Sequence, residues 1–170
     1  QVMNDELKAM YDEMQKLMEQ MDPEMMEEIQ KQLESMEVDQ ESLEKELDRA
    51  LEQFKQLEYE VNMQEAIEDL KELAEKQEQL AEETSEQNTP NDSLAVQQDS
   101  LNQEFEELQE RLDELDKANE KLENPNATME RSEENQSIEE KMSESSDQLK
   151  KDKNKKAEEN QQKAAEEMQK

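Results

Sequence analysis

The chain of 170 residues contains no glycine. Glycine supplies the positive φ angles of tight hairpin turns, bulges and phosphate-binding loops, so a chain without it is poorly suited to sheets or nucleotide cradles. The interior of a helix, in contrast, is weakened by glycine, by about 1 kcal/mol relative to alanine. The absence of glycine therefore favours an all-α fold.

Cysteine, histidine and tryptophan are absent as well, and aromatic residues make up 2% of the chain. Without histidine and cysteine the chain lacks the commonest catalytic base, the thiol nucleophile and most ligands of transition metals. Paired carboxylates remain, but glycoside hydrolysis needs an apolar pocket that raises the pKa of one of them. An EF-hand calcium loop requires a glycine. We therefore expect no enzyme activity, no cofactor and no metal.

A disordered acidic chain is the main rival to a helical fold. Leucine, isoleucine, valine and phenylalanine account for 26 of the 170 residues, or about 15%. Highly charged chains in which these residues make up less than about 20% tend to be disordered. A disordered chain has no reason to keep a helical spacing of its apolar residues, so the pattern decides between the two.

Residues 1–38 are rich in methionine and are predicted to form short helices. Eight of the 12 methionines fall within the first 36 residues. Apolar residues at alternate spacings of four and three form one helical stripe from Met3 to Met21. Asp22 before Pro23 has the form of an N-cap followed by proline in the first turn, which predicts a second helix.

Flexible methionine side chains also suit surfaces that bind varied apolar partners. Four of them are candidates for a partner-binding groove: Met10, Met14, Met18 and Met25. Met18 and Met25 lie slightly off the strict stripe, so we expect them to be the most exposed. The competing interpretation is a methionine-rich seam buried inside a bundle, and the regular spacing favours this second interpretation.

Residues 39–123 are predicted to form the stable part of the fold, as an antiparallel helical hairpin or a coiled coil. Spacings of four and three run to Val61, slip by one residue at Met63, and resume through Ile67. A single helix over residues 39–83 would extend about 68 Å. The seam positions in this region are Leu43, Leu47, Phe54, Leu57, Leu70, Leu101, Phe105, Leu108, Leu112 and Leu115.

The break between the two long helices is predicted at residues 84–93, which include Pro90 and no aliphatic or aromatic side chain. A loop of this length can reverse the chain and so allow an antiparallel hairpin. Gln98 and Asn119 occupy stripe positions of the second helix. Asn119 either specifies register or partner number, or marks fraying before Pro125, and the pattern does not decide between these alternatives.

Residues 124–170 are predicted to be a polar, loosely ordered tail that is partly disordered or partly helical. After Asn126 the large apolar groups are reduced to Met129, Ile138, Met142, Leu149 and Met168. From residue 148 onward seven lysines exceed five acids, so the sign of the charge reverses at this end of an otherwise acidic chain.

The net charge of −31 comes from 51 acidic and 20 basic residues. Such a chain should repel nucleic acid and anionic lipid, because those partners are bound through neutralised phosphates. No apolar run reaches the roughly 20 residues that cross a bilayer. We therefore expect protein helices as partners, from the same chain or another, and no membrane contact from this segment itself.

Four strings carry a resemblance to a known family. They are LEKELDRALEQFKQLEYE (43–60), LKELAEKQEQLAEET (70–84), QQDSLNQEFEELQERLDELDKANEKLENPN (97–126) and KKAEENQQKAAEEMQK (155–170). Together they resemble the helical region of an uncharacterised family of large, membrane-anchored coiled-coil proteins from Bacteroidetes-type bacteria. The resemblance implies a location in the bacterial cell envelope and a membrane anchor elsewhere in the parent chain. It supplies no active-site residues.

Two functions fit these patterns. The first is a non-catalytic structural or scaffolding coiled coil in an envelope protein. The alternative is a methionine-rich helical module that binds partners or unfolded clients as a chaperone-like clamp. A disordered tether is a third, weaker hypothesis, because the helical spacing persists over most of the chain.

Overall fold

A computed structural model describes residues 40–128 and 131–170, and all of its regular structure is helical. The all-α class is therefore confirmed for these residues. The described residues contain four successive helices: α1 Gln40–Glu86, α2 Asn91–Asn119, α3 Ser132–Leu149 and α4 Asn154–Met168. The short helices predicted within residues 1–38 lie outside the described residues.

The chain divides into two compact units. Unit 1 includes residues 40–60 and 122–124 among those described, and unit 2 consists of residues 61–121 and 125–170. In unit 1 the backbone N–H of Glu123 donates to Glu52 Oε2 at 3.0 Å, which ties the segment after α2 to the first half of α1. The buried residues described in this unit are Leu47, Leu51, Phe54, Tyr59 and Leu122.

Unit 2 contains the antiparallel hairpin that the loop and the two seams predict. Lys76 of α1 donates to Glu104 of α2 at 3.0 Å, and about two helical turns further along both helices Arg111 pairs with Asp69. From one pair to the next, the residue number falls on α1 and rises on α2. The two helices therefore run in opposite directions. The 47 residues of α1 match the length expected from the seam.

The turn between α1 and α2 is shorter than the ten-residue loop predicted over residues 84–93. Thr84 lies inside α1, and its hydroxyl donates to the Leu80 carbonyl at 2.8 Å. Pro90 immediately precedes α2, and its carbonyl accepts from the N–H of Ser93 (2.9 Å). Gln87 has φ 55°, the left-handed conformation that glycine usually supplies after a helix. A chain without glycine therefore makes this turn with glutamine.

The tail was predicted to be loosely ordered and partly disordered or partly helical, and the structure describes two helices in it. Residues 132–149 and 154–168 are helices. The buried face of α3 consists of Ile138, Met142, Ser145, Ser146 and Leu149. That of α4 consists of Ala157, Gln161, Ala164, Ala165 and Met168. The two sets share one helical spacing, so the helical alternative describes residues 132–149 and 154–168, where small and amide side chains occupy positions at which only large apolar groups were counted.

Helices α1 to α4 of unit 2 contribute to one apolar core. Its members are Leu73, Ala74, Leu80, Leu94, Ala95, Leu101, Phe105, Ile138, Met142, Leu149, Ala157, Ala164 and Met168, with Leu70 packed against it. The α1 stripe therefore runs through Leu73 and Ala74. Val61 and Ile67, assigned to the stripe by their spacing, are instead exposed, because the side of α1 that faces the core includes Ala66 and Gln77.

Asn119 ends α2 by a specific contact. Its side chain is buried, its Oδ1 accepts from the backbone N–H of Asn126 (2.8 Å), and its Nδ2 donates to the Asn126 carbonyl (2.9 Å). These bonds pin the segment after the helix back onto its last residue. The polar groups of Asn119 therefore satisfy the backbone of a turn, and a role of this residue in specifying register or partner number stays a prediction.

Candidate interaction site

Three glutamines from three helices form a buried polar layer in unit 2. Gln77 of α1, Gln98 of α2 and Gln161 of α4 are fully buried. Gln98 Nε2 donates to Gln77 Oε1 (2.8 Å), and Gln98 Oε1 accepts from Gln77 Nε2 (2.9 Å) and Gln161 Nε2 (3.0 Å). The second amide hydrogen of Gln98 goes to Asn102 Oδ1 (3.0 Å). Its full hydrogen-bonding capacity is therefore used: three bonds join helices, and the bond to Asn102 lies within α2.

Helices α2 and α4 are parallel and begin side by side. Asn91, the first residue of α2, donates from Nδ2 to Oδ1 of Asn154, the first residue of α4, at 2.9 Å. Asn154 Nδ2 donates back to Asn91 Oδ1 at 2.8 Å, and Asn91 Nδ2 also reaches Asp152 Oδ1 at 2.8 Å. These bonds join the α1–α2 turn to the α3–α4 turn. We refer to residues 87–91 and 150–156 as the turn end.

The turn end has a concentration of positive charge that no other stretch of the chain matches. Residues 150–156 contain five lysines and one aspartate. Lys150 pairs with Asp99 (2.9 Å) and Lys151 with Asp147 (3.3 Å). Three exposed lysines take part in no ion pair among the described residues: Lys153, Lys155 and Lys156. Their charges are available to a partner.

An open cleft of about 760 Å³ lies at the turn end. One wall is formed by Gln87, Thr89, Pro90 and Asn91, and the other by Asp152, Lys153, Asn154, Lys155 and Lys156. Its lining has no large aliphatic or aromatic side chain. The cleft therefore suits a charged or polar surface better than an apolar one.

Asp99 links the turn end to the middle of the unit. It accepts from the Ser146 hydroxyl and from Lys150 Nζ (2.9 Å to Oδ2). Burial acts to raise the pKa of Asp99, but the hydrogen bonds from Ser146 and Lys150 outweigh it, so this pKa lies below the ordinary value for aspartate. Asp99 is thus held as a carboxylate and fixes α3 against α2.

A second cleft, of about 390 Å³, lies between α1 and α2 and includes Leu73 and Leu108 in its lining. The ion pair between Lys76 and Glu104 joins its two sides. The hydrogen bond to Glu104, followed in size by the one to Glu72, raises the pKa of Lys76 above its ordinary value. Two ion pairs at this cleft, Lys76 with Glu104 and Arg111 with Asp69, therefore hold the hairpin together.

The seam positions predicted from the sequence lie at different depths. Most are buried, namely Leu47, Phe54, Leu101, Phe105, Leu108, Leu112 and Leu115. Leu57 and Leu70 are partly buried. The Leu43 side chain lies outside the described residues. So do Met10, Met14, Met18 and Met25, and their partner-binding role stays a prediction.

The sequence alone did not identify the turn end as a site. The charge reversal after residue 148 marks its lysines, and Pro90 marks the opposite turn. What the linear pattern lacks is the meeting of these two segments, which are separated by about 60 residues and joined through Asn91 and Asn154. The sequence pattern also did not indicate that α3 and α4 are packed helices with a short turn between them.

Comparison with known proteins gives no relative: no family model, no curated protein and no solved structure matches the chain. In the described part, no helix combines the length and apolarity of a membrane span. Among the same residues, no cluster of three or more acidic side chains is arranged to hold a metal ion.

We expect stability to pass through a maximum in mildly acidic solution. From pH 7 toward pH 5, partial neutralisation of the acidic surface relieves repulsion and should raise stability, as added salt should by screening. At lower pH the protonation of two paired carboxylates, Asp99 and Glu167, opposes this gain in stability. Burial acts to raise the pKa of Glu167, but hydrogen bonds from Lys141 and Ser137 outweigh it, so its pKa is lowered, as is that of Asp99.

A carboxyl group whose pKa is lowered by folding stabilises the fold above its unfolded pKa, and this contribution is lost as pH falls through the folded value. For Asp99 and Glu167 the loss therefore begins near pH 4, from ordinary values of 3.8 and 4.5. Urea unfolding followed by helicity at pH 7, 5 and 3 tests the maximum. Asp99→Asn serves as the control and should lose less stability on acidification. A steady rise down to pH 3 would contradict the role given to these two pairs.

Proposed function

We propose that this chain is a non-catalytic structural segment that positions partner proteins through helix contacts. The observation that carries the proposal is the use of its interior polar groups. Gln77, Gln98 and Gln161 are hydrogen-bonded to one another inside the bundle, whereas groups that do chemistry must face a cleft that can hold a substrate. Such an interior supports rigid packing of helices.

The charged groups support the same proposal. Arg131 of the segment before α3 reaches Asp116 of α2 at 2.6 Å, and Lys141 of α3 reaches Glu167 of α4 at 2.9 Å. The first pair ties the segment before α3 to α2, and the second joins α3 to α4. Partly exposed pairs add little to stability individually, but they disfavour other alignments of the same helices. A defined alignment is what a scaffolding segment needs.

The resemblance of the four acidic strings to membrane-anchored coiled-coil proteins suggests where such a segment would act. We propose the bacterial cell envelope, with the anchor elsewhere in the parent chain. The partners would be protein helices, from the same chain or another. The acidic surface disfavours nucleic acid and anionic lipid as partners.

Photo-cross-linking in cells that express the parent protein tests the structural role. Val96 is 69% exposed on α2, so a photoreactive residue there samples partners without disturbing the core. We expect a few discrete cross-linked proteins, because a scaffold has fixed neighbours. A continuous spread of products, as a clamp with many clients would give, would contradict the proposal.

The methionine-rich clamp remains the alternative hypothesis and has a separate test. An unrelated unfolded apolar protein is mixed with the chain, and its aggregation is followed by light scattering. Changing Met10, Met14, Met18 and Met25 together to serine provides the comparison. Protection that disappears in this variant would favour the clamp, while no protection by the original chain would favour the scaffold.

A further inference from the structure

The three lysines of the turn end that take part in no ion pair among the described residues lie at positions where electrostatic repulsion disfavours a positive charge. Lys155 and Lys156 lie in the first turn of α4, and that turn contains no acidic residue. The N-terminal end of a helix carries a partial positive charge, which repels cations. Lys153 directly precedes the helix and adds a third like charge within four residues. The chain has 51 acidic residues, yet places only Asp152 among them.

A group of mutually repelling charges at an unfavourable position points to a compensating partner. The cleft supplies the space for one, because Lys153, Lys155 and Lys156 line it together with the opposite turn. The hydrogen bonds between Asn91 and Asn154 hold the two walls in place. The partner must be anionic and must present more than one charge at a spacing of about one helical turn.

We propose that the turn end binds the acidic helical surface of a second copy of this chain. The second copy supplies the required pattern: Glu106, Glu110 and Glu114 are exposed on α2 at intervals of four residues. The Cβ atoms of residues at this spacing lie about 5–6 Å apart, which is comparable with the spacing expected for Lys153 and Lys156, three residues apart. The proposal deepens the scaffolding function, on which it rests, by naming a partner.

The net charge of −31 on each copy opposes this contact, and ionic strength decides which effect wins. At 0.15 M salt the Debye length is about 8 Å, so distant charges are screened while lysines and carboxylates in contact still attract. At 0.01 M salt it is about 30 Å, and the whole-molecule repulsion should prevent approach. At 1 M salt it is about 3 Å, and the contact itself should weaken. Association should therefore be strongest at intermediate salt.

Zero-length carbodiimide cross-linking of the full chain tests the contact directly. Unlabelled and ¹⁵N-labelled chains are mixed in equal amounts, so that a cross-link between copies contains both isotopes. We expect mixed-isotope products that join the peptide containing residues 153–156 to α2 of another copy, together with concentration-dependent association by light scattering. Both signals should decline at low and at high salt.

Two triple variants with the same change of net charge separate the turn end from general electrostatics. Lys153→Gln, Lys155→Gln and Lys156→Gln together should abolish association. Lys71→Gln, Lys121→Gln and Lys163→Gln together should leave it intact, since these lysines are exposed elsewhere in unit 2. Circular dichroism verifies that both variants fold.

Equal association of the two variants, or no mixed-isotope products in the original chain, would overturn the proposal. Phosphatidylglycerol vesicles and inorganic phosphate are tested in parallel. Lysine-dependent binding to either of these, without contact between copies, would assign the turn end to a different anion and equally overturn it. The photo-cross-linking at Val96 tests the scaffolding function independently. The scaffolding function and the contact between copies can therefore be contradicted separately.

Discussion

Leu149→Ala is expected to lower the free energy of unfolding by about 2–5 kcal/mol, the usual cost of removing a fully buried leucine side chain from a packed core. Leu149 is the last residue of α3 and has no exposed surface. Its truncation removes apolar contacts and leaves a cavity that the surrounding helices fill only in part. The effect is large because the whole stability of a domain is about 5–15 kcal/mol.

Urea unfolding monitored by circular dichroism measures this loss. Val96→Ala is the matched control, because Val96 is 69% exposed and its truncation should change stability by no more than about 0.5 kcal/mol. The comparison also tests the packing of residues 132–168 directly. Equal effects of the two substitutions would mean that α3 is not part of the core.

Gln98→Leu is expected to cost about 2–5 kcal/mol, from about 1–3 kcal/mol for each buried polar group left without a partner. Gln98 bonds Gln77 through both of its amide groups and also accepts from Gln161. A leucine of similar size restores the packing and none of these bonds. The amides of Gln77 and Gln161 would then be buried without their present partner.

Gln161→Leu provides a contrast within the same layer. Gln161 Oε1 is buried and has no hydrogen-bond partner, while its Nε2 makes one bond, to Gln98. Replacing Gln161 removes this unsatisfied acceptor, and Gln98 Oε1 still accepts from Gln77. We therefore expect a change within about 1 kcal/mol of zero, or a gain in stability. Urea unfolding of both variants is the measurement, and equal losses would contradict the central place of Gln98.

The long helices could be predicted because their signal is local and repeated. Leucine and phenylalanine at spacings of three and four define one face of α2, and Pro90 gives its start. The absence of glycine favoured an all-α fold, and the lack of histidine and cysteine argued against most catalytic chemistry. These features depend on neighbours within a few turns of one helix.

Helices α3 and α4 could not be recognised as part of the core by the same reasoning. Ser145, Ala157 and Ala164 are fully buried, yet each is too small or too polar to mark a core position. Their burial follows from how closely neighbouring helices approach, and this distance is set by the partner helices. The glutamine layer is similar, since a glutamine on a stripe gains a partner only when two other helices supply one.

The distribution of tyrosine across the two units gives the protein an intrinsic optical label. Tyr11 and Tyr59 both precede residue 61, and tryptophan is absent, so unit 2 contains no fluorescent side chain of either type. Tyr59 is buried in unit 1, and its emission changes when water reaches the ring. Tyrosine fluorescence therefore carries no signal from unit 2, whereas far-ultraviolet circular dichroism sums the helices of both units. Recorded on one sample during denaturation, the two signals separate the opening of one unit from that of the other without any attached dye.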